Sequence, residues 1–202
     1  DRPEYAPLYA ARAAFPGRTA PERRADLERA AQLDPGQWRY GRLLVEEMLR
    51  AKDPAGAVAV AVRYRTAFPE NYILGLGLAR AFLAAGRYRD ADATLATLHI
   101  IPFEGSAEGH VAYREAKLML AVDAMRGSRW DEAAELIAAA REWPERLGAG
   151  APYPADVDTR CEELLEADLA RRRGSDSETA RAARERLGAW ALQAGGVDGR
   201  VL

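Results

Sequence analysis

The sequence predicts an all-α protein, an α-α superhelix made of about five helical hairpins that stack as a solenoid. Small residues and prolines recur at a fixed spacing: Ala57 and Ala91 are 34 residues apart, as are Pro35 and Pro69. Apolar residues follow the helical period between Gly and Pro breaks, and no segment shows convincing strand-like alternation. A fixed period of this size is typical of stacked helical hairpins.

Composition narrows the possible functions of the 202-residue chain. It is 30% charged and 49% hydrophobic with a net charge of −2, so no global bias favours nucleic acid or an anionic membrane. The single cysteine, Cys161, excludes an internal disulfide and any multi-cysteine metal site. No apolar run approaches the roughly 20 residues of a membrane span, and no signal peptide is apparent. We therefore expect a cytoplasmic location, although a first residue other than Met is compatible with a piece of a longer protein.

Capping residues and breaks divide the first half into helices. A helix is expected over Glu4–Ala14. Thr19 and Glu22 form a capping box for the next helix, which runs to Asp34. Two further helices and a hairpin follow: Trp38–Ala51, Pro54–Ala67 with Asp53 as N-cap, and the hairpin within Tyr72–Pro102, which is divided at Gly86.

The second half contains two insertions in the repeat, His99–His110 and Trp143–Pro154, both expected to be loops. Both follow the second helix of a hairpin and should therefore emerge on the same edge. Around them, helices are expected near Ser106–Arg126, Arg129–Ala140, Asp156–Arg173 and Glu178–Gln193. The repeat domain is predicted to span 1–195, with a flexible tail at 196–202.

The spacing of small residues and prolines resembles the tetratricopeptide repeat (TPR). Three units carry it: Val45, Ala57 and Pro69; Ala79, Ala91 and Pro102; Ala121, Ala133 and Pro144. Small residues allow close approach of paired helices. The segments Pro102–Gly105, Glu108–His110, Tyr113–Ala116, Arg141–Gly148 and Pro152–Tyr153 more narrowly resemble the C-terminal TPR region of certain bacterial proteins. In those proteins an uncharacterised β-rich domain precedes the repeats. This resemblance implies attachment to a β-sandwich with possible carbohydrate connections, and it carries over no catalytic residue.

No arrangement of residues predicts catalysis, a cofactor or a metal. Gly75-Leu76-Gly77 lacks the third glycine and the preceding strand of a dinucleotide loop. His99 and His110 lack the i, i+4 spacing of a strong metal motif. Cys161 is most simply a small buried hydrophobe, and the pairs Glu46-Glu47 and Glu162-Glu163 are most simply solvated surface. The run Arg171–Arg173 complements a helix dipole.

Two surfaces are therefore candidates for binding a partner. The edge loops bring aromatic and charged residues together: Phe103, Glu104, His110, Trp143, Arg146 and Tyr153. They could equally serve only as covers for the hairpins beneath. The predicted concave face shows arginines at one end and aliphatic residues in the middle: Arg39, Arg42, Glu46, Leu49, Ile73, Leu76, Arg80, Leu83, Leu118 and Val122. It departs from the TPR carboxylate clamp, because Glu46 stands where the clamp has Asn.

The predicted function is a non-catalytic interaction or scaffold module of a larger bacterial protein. It would dock a partner protein, or a neighbouring domain of the same polypeptide, through the edge loops and the concave face. The alternative is an accessory lobe of a carbohydrate-active enzyme, whose edge loops complete a sugar site on an attached β-rich domain. We expect no cofactor, no nucleic acid and no membrane partner.

Overall fold

The computed structural model describes residues 4–102, 107–153, 157–174 and 178–194. These residues form ten α-helices and one turn of 3-10 helix (Glu145–Leu147), with no strand among them. The predicted all-α class is confirmed. The helices are α1 (Ala6–Ala13), α2 (Ala20–Leu33), α3 (Trp38–Arg50), α4 (Pro54–Ala67), α5 (Tyr72–Ala84), α6 (Tyr88–Ala96), α7 (Glu108–Arg126), α8 (Trp130–Ala140), α9 (Arg160–Arg173) and α10 (Glu178–Ala194).

The chain divides into two compact units. Unit 1 contains Asp1–Ala112 and Arg146–Gly148, and unit 2 contains Tyr113–Glu145 and Ala149–Leu202. The predicted tail at 196–202 lies outside the described residues. None of the described helices has the length and apolar character needed to cross a lipid bilayer.

Polar side chains cap the starts of α2, α4 and α5, and the caps of α2 and α4 are the ones that the sequence predicts. Asp53 Oδ1 accepts a hydrogen bond from the Gly56 N–H at 2.9 Å, which satisfies one of the free amides that open α4. The Glu22 carboxylate accepts from the Thr19 N–H at 2.8 Å at the start of α2. Asn71 does the same for α5, accepting from Ile73 at 3.1 Å. Local capping therefore accounts for these helix starts.

The small residues of the repeat pack between helices. The six small positions of the three repeat units are all at most 3% exposed: Val45, Ala57, Ala79, Ala91, Ala121 and Ala133. In unit 1, each helix from α2 to α5 packs against the helix that follows it in the chain. Val45, which is bulkier than the other five, is accommodated at 3% exposure. All six positions are thus buried, as the repeat pattern predicts.

Substitution at one of these positions should strain the hairpin of α5 and α6. We expect Ala91→Leu to destabilise the protein by about 1–3 kcal/mol, because Ala91 is fully buried and three extra carbons would overpack the contact. Thermal unfolding followed by circular dichroism measures the effect. Ala93→Leu, at an exposed position on the same helix, is the control, and equal melting points for the two variants would contradict the assigned register.

Two buried carboxylates of unit 1 each bind an arginine from a neighbouring helix and a second arginine nearer in sequence. Asp26, at 3% exposure, accepts from the Arg12 Nε at 3.0 Å and from the Arg18 Nη2 at 2.6 Å. Glu47, at 2% exposure, accepts from the Arg23 Nε at 2.9 Å and also pairs with Arg50. The prediction that Glu46-Glu47 is solvated surface is therefore wrong for Glu47. Burial of a charge is tolerated here because each oxygen has a cationic donor.

The environment of Asp26 predicts acid sensitivity. Hydrogen bonds from Arg12 and then from Arg18 hold the pKa of Asp26 below its usual range, against the opposing effect of burial. Because the pKa is lowered in the folded state, the stabilisation is present above the unfolded value of about 3.9 and is lost as pH falls through the folded value. We expect Asp26→Asn to lower the free energy of unfolding at pH 7 by about 1–3 kcal/mol, with the difference from wild type shrinking below about pH 4.

Melting temperatures at pH 7, 5, 4 and 3 would measure this dependence. Asp123→Asn is the matched control, since Asp123 pairs with Arg126 on the surface, with both side chains more than 40% exposed. If Asp26→Asn lowered the melting temperature by the same amount at pH 3 as at pH 7, the charge of the Asp26 carboxylate would not be the source of the stability difference.

Unit 2 joins α7, α8 and α9 through a small apolar core. Buried residues of all three helices pack together there: Ala121, Ala124, Met125, Ala133, Ile137 and Leu169. Beside this core Glu162 pairs with Arg114 of α7, and Glu163 accepts from Arg186 of α10 at 2.6 and 2.8 Å. Glu162 and Glu163 are at most 4% exposed, so the prediction of solvated surface is wrong for this pair also.

Two further expectations for unit 2 need correction. Cys161 is exposed, not buried, because the adjacent Glu162 occupies the inward-facing position. Helix α9 begins at Arg160 and not at Asp156, which lies outside the described residues. Its last residue is Arg173, and the capping residue that follows, Gly174, has a φ of +66°, the left-handed conformation that glycine adopts readily.

Candidate functional site

Unit 1 contains a groove between α3 and α5, which we call the inner groove. Its volume is about 160 Å³. Val45, Gly77 and Glu108 line it together with six of the residues predicted for the concave face. Those six are Arg42, Glu46, Leu49, Ile73, Leu76 and Arg80. The residues contributed by α3 are three or four positions apart and so share one side of that helix. Arg39 lies outside this groove, with its guanidinium 4.8 Å from the centre of the Trp38 ring.

Charges at the rim of the inner groove differ in whether they are compensated. Arg42 and Glu46 form an ion pair with each other. Arg80 is exposed, and within the described parts of the chain neither Arg80 nor Glu108 forms an ion pair. The groove therefore offers an aliphatic floor with one uncompensated guanidinium and one uncompensated carboxylate on its rim. This is the arrangement of a surface that can contact both apolar and charged side chains.

A second groove of about 430 Å³ adjoins the inner groove at Glu46, which lines both. It lies between the turn after α1 and the end of α3, and its lining includes Phe15, Leu43 and Arg50. Phe15 is 67% exposed, an unusual position for a phenylalanine side chain. Together the two grooves extend the available surface of unit 1 from α1 to the start of α7.

The two insertions contact each other within unit 1. The Ile100 N–H donates a hydrogen bond to the Arg146 carbonyl at 2.8 Å. Leu147 is fully buried, and a Cβ on Gly109 would lie only 2.4 Å from the Leu147 carbonyl oxygen. Glycine at 109 therefore permits this close approach of the second insertion to α7. The part of the second insertion at Arg146–Gly148 is thus packed into unit 1.

The predicted edge-loop residues have different environments. His110 is 3% exposed and lies in the first turn of α7, so it is not part of the accessible surface. The Trp143 indole donates to the Ala149 carbonyl at 2.8 Å, which closes the loop on itself, whereas Tyr153 is 81% exposed. Arg146 is half-buried. Phe103 and Glu104 lie outside the described residues.

Sequence reasoning missed the second groove and the exposed ring of Phe15. A signal existed: Phe15 precedes Pro16-Gly17, so it falls in a turn, where an aromatic side chain has few neighbours to cover it. No cluster of three or more His, Cys, Asp or Glu side chains that could hold a metal ion occurs within the part of the chain that the structure describes.

Comparison with protein families supports the repeat. Residues 48–99 match the tetratricopeptide repeat family. The match covers about a quarter of the chain and includes the end of α3, all of α4, α5 and α6, and most of the residues that form the inner groove. This segment is therefore TPR-like. No curated protein and no solved structure shows significant similarity to the chain.

Proposed function

We propose that the chain is a non-catalytic interaction module that docks a protein segment in the inner groove of unit 1. TPR segments generally mediate protein–protein interaction. The observation that supports the proposal is the aliphatic floor of Leu49, Ile73 and Leu76 beside the uncompensated guanidinium of Arg80. An anchoring apolar side chain and a neighbouring carboxylate are the features such a groove binds.

The edge loops are a secondary part of this proposal. Tyr153, which is exposed, and the half-buried Trp143 belong to unit 2 and would form a separate contact surface for a partner protein or for a neighbouring domain of the same polypeptide. Tyrosine and tryptophan are common at binding surfaces because they bury a large area at low entropic cost. The alternative is that the chain is an accessory lobe of a carbohydrate-active enzyme. It requires an attached β-rich domain and stays a prediction.

A photo-crosslinking amino acid at position 76, in the inner groove, tests the proposal. The same amino acid at the exposed position 126 is the control. A partner that cross-links at position 76 and not at position 126 would then be purified and titrated. Arg80→Glu should weaken its binding by at least about tenfold, and Arg89→Glu on the exposed side of α6 should not. Wild-type affinity of the Arg80→Glu variant would show that the inner groove is not the docking surface.

The proposal also predicts that the isolated chain turns over no common substrate. Among its described residues there is no nucleophile held by a base and an orienting group. A panel of glycoside, ester and phosphate substrates would measure this. Turnover that survives repurification and tracks the protein through a second column would overturn the non-catalytic assignment.

A further inference from the structure

The first helix of unit 1, α1, carries a stripe of large apolar residues that faces solvent. Tyr5 and Leu8 are each 51% exposed, and Phe15, in the turn after the helix, is 67% exposed. Together with Arg12 they recur at intervals of three, four and three residues, which places them along one side of the helix. We call these four residues the α1 stripe. Large exposed apolar residues that lie together are typical of a protein–protein contact surface.

The turns of unit 1 show which positions of the later helices correspond to the α1 stripe. Gly17, Lys52 and Gly86 each have a positive φ, and each stands in the turn that joins the two helices of a hairpin. Counted back from these three residues, the positions of the stripe fall on one set of residues in α3 and another in α5. The set in α3 is Tyr40, Leu43, Glu47 and Arg50, and the set in α5 is Leu74, Gly77, Ala81 and Ala84.

In α3 the inner members of this set pack against the preceding hairpin. Tyr40 is 6% exposed and belongs to an apolar cluster that also contains Ala6 of α1 and Leu27 of α2. Glu47 is 2% exposed and accepts hydrogen bonds from Arg23 of α2. This side of α3 is therefore the side that contacts the hairpin of α1 and α2.

The corresponding side of α5 is covered in the same way. Leu74 is 3% exposed and belongs to the same apolar cluster as Leu44 of α3, and Ala81 is fully buried. Helix α5 packs against both α3 and α4. The first helix of a hairpin thus uses this side to contact another hairpin, and in α1 the equivalent side is exposed. A helix is accordingly the kind of element that fits the α1 stripe.

The α1 stripe is complementary to a second copy of itself. Its spacing is that of the a and d positions of paired helices, whose side chains interlock across the contact. In an antiparallel pair of α1 helices, Tyr5 of one copy lies opposite Phe15 of the second copy, and Leu8 lies opposite Arg12. The charge of Arg12 does not oppose this pairing, because its Nε donates a hydrogen bond to the buried Asp26 at 3.0 Å.

The size of the α1 stripe indicates how strong such a contact can be. An aromatic side chain buries about 150–250 Å² when it is covered completely. Between half and two thirds of each apolar side chain of the stripe is still exposed. Two copies that meet through one short helix each would therefore bury less than about 1,200 Å² in total, which is the range of weak and reversible association.

We propose that the α1 stripe is a contact surface between two copies of this chain, which associate reversibly through antiparallel α1 helices. This dimer goes beyond the proposed function, because none of the residues that line the inner groove belongs to the stripe. A two-fold dimer carries two inner grooves. A partner that contains its docking segment twice would then be bound bivalently, with a higher apparent affinity than a single groove provides.

Analytical ultracentrifugation of the complete chain between about 5 and 500 μM measures the association. We expect monomer at the lowest concentration and a rising fraction of dimer. Leu8→Lys sets an ammonium group against Arg12 of the second copy and should weaken dimerisation at least about tenfold, and Phe15→Lys should do the same by removing the ring that faces Tyr5. Val62→Lys changes an exposed aliphatic residue of α4 and should leave the dimer unchanged.

Disulfide formation tests the antiparallel arrangement. Cys161→Ser first removes the exposed native thiol. In that background, a mixture of Tyr5→Cys and Phe15→Cys chains should form an intermolecular disulfide under mild oxidation. Neither variant should cross-link alone, because in the antiparallel pair the two copies of one position lie about 15 Å apart along the helices.

Circular dichroism would confirm that each variant is folded. A chain that stays monomeric at about 500 μM, a dimer that survives both lysine substitutions, or cross-linking of one cysteine variant with itself would each overturn the proposal. Loss of the dimer in Arg80→Glu would assign the association to the inner groove and would overturn it also. A monomeric chain whose partner still cross-links at position 76 would leave the proposed function standing.

Discussion

Replacing Gly41 by alanine is expected to destabilise unit 1 by about 1–3 kcal/mol, although alanine is the better helix former. Gly41 lies within α3, and a Cβ there would lie 2.3 to 2.5 Å from three carbons of the Tyr64 ring. The ring is only 5% exposed and stacks with Phe68 at a centroid distance of 6.4 Å, so it has little freedom to move. Overlap with a fixed ring should outweigh the gain of about 1 kcal/mol in helix propensity.

A second glycine within a helix, Gly77, provides a control, because its replacement by alanine should change stability in the opposite direction. Gly77 lies within α5, and an added Cβ would meet no atom within 4 Å. We therefore expect Gly77→Ala to stabilise the protein by about 0.5–1 kcal/mol through helix propensity and reduced freedom of the unfolded chain. Chemical denaturation of both variants would measure the pair of effects. Stabilisation by Gly41→Ala would mean that α3 and α4 are not as close at this point as the structure places them.

Replacing Glu162 by alanine is expected to destabilise unit 2 by about 2–4 kcal/mol. Glu162 is 1% exposed and pairs through both oxygens with Arg114, whose side chain is 32% exposed. The loss leaves Arg114 partly buried without its carboxylate, although partial exposure to water limits the cost. Eight of the fourteen residues of α9 are charged, so ion pairs carry much of its attachment to α7, α8 and α10.

Hydrogen exchange of the α9 amides, together with thermal unfolding, would measure this effect locally. Glu162→Gln keeps the shape and removes the charge, and it should give an intermediate loss of protection. Asp123→Ala removes an exposed pair with Arg126 in the same unit and should change stability by less than about 0.5 kcal/mol. A Glu162→Ala variant as stable as Asp123→Ala would show that α9 is held by its apolar contacts alone.

The parts of the fold that depend on local chemistry could be predicted from the sequence. Helix α4 has the predicted bounds, because Asp53 and Pro54 are strong local start signals. The small positions such as Ala57 and Ala91 are buried as predicted, since their spacing reflects repeated contacts between neighbouring helices. Much of the inner groove was also predictable, because residues such as Arg42 and Glu46 are related by helical periodicity within α3.

The parts that depend on contacts distant in sequence could not be predicted. Glu47 and Glu162 look like surface residues by sequence, and their arginine partners lie 24 and 48 residues away. His110 looks like part of a loop because it follows a run with Pro and Gly. It is buried because α7 begins two residues earlier and a residue from the second insertion, Leu147, packs nearby against Gly109. Nothing local to His110 indicates that packing.

The burial of Leu147 in unit 1 affects the order in which the protein can fold during synthesis. Residues up to Ala112 leave the ribosome first, but the segment that accepts the Ile100 hydrogen bond and completes this unit ends only at Gly148. At a translation rate of about 5–20 residues per second, the nascent unit waits roughly 2–7 seconds for it. During that interval Ile100 and the backbone beside Gly109 lack the cover that Leu147 provides. The same argument applies to recombinant fragments: one that stops at Ala112 lacks this cover permanently, and one that extends to Gly148 retains it.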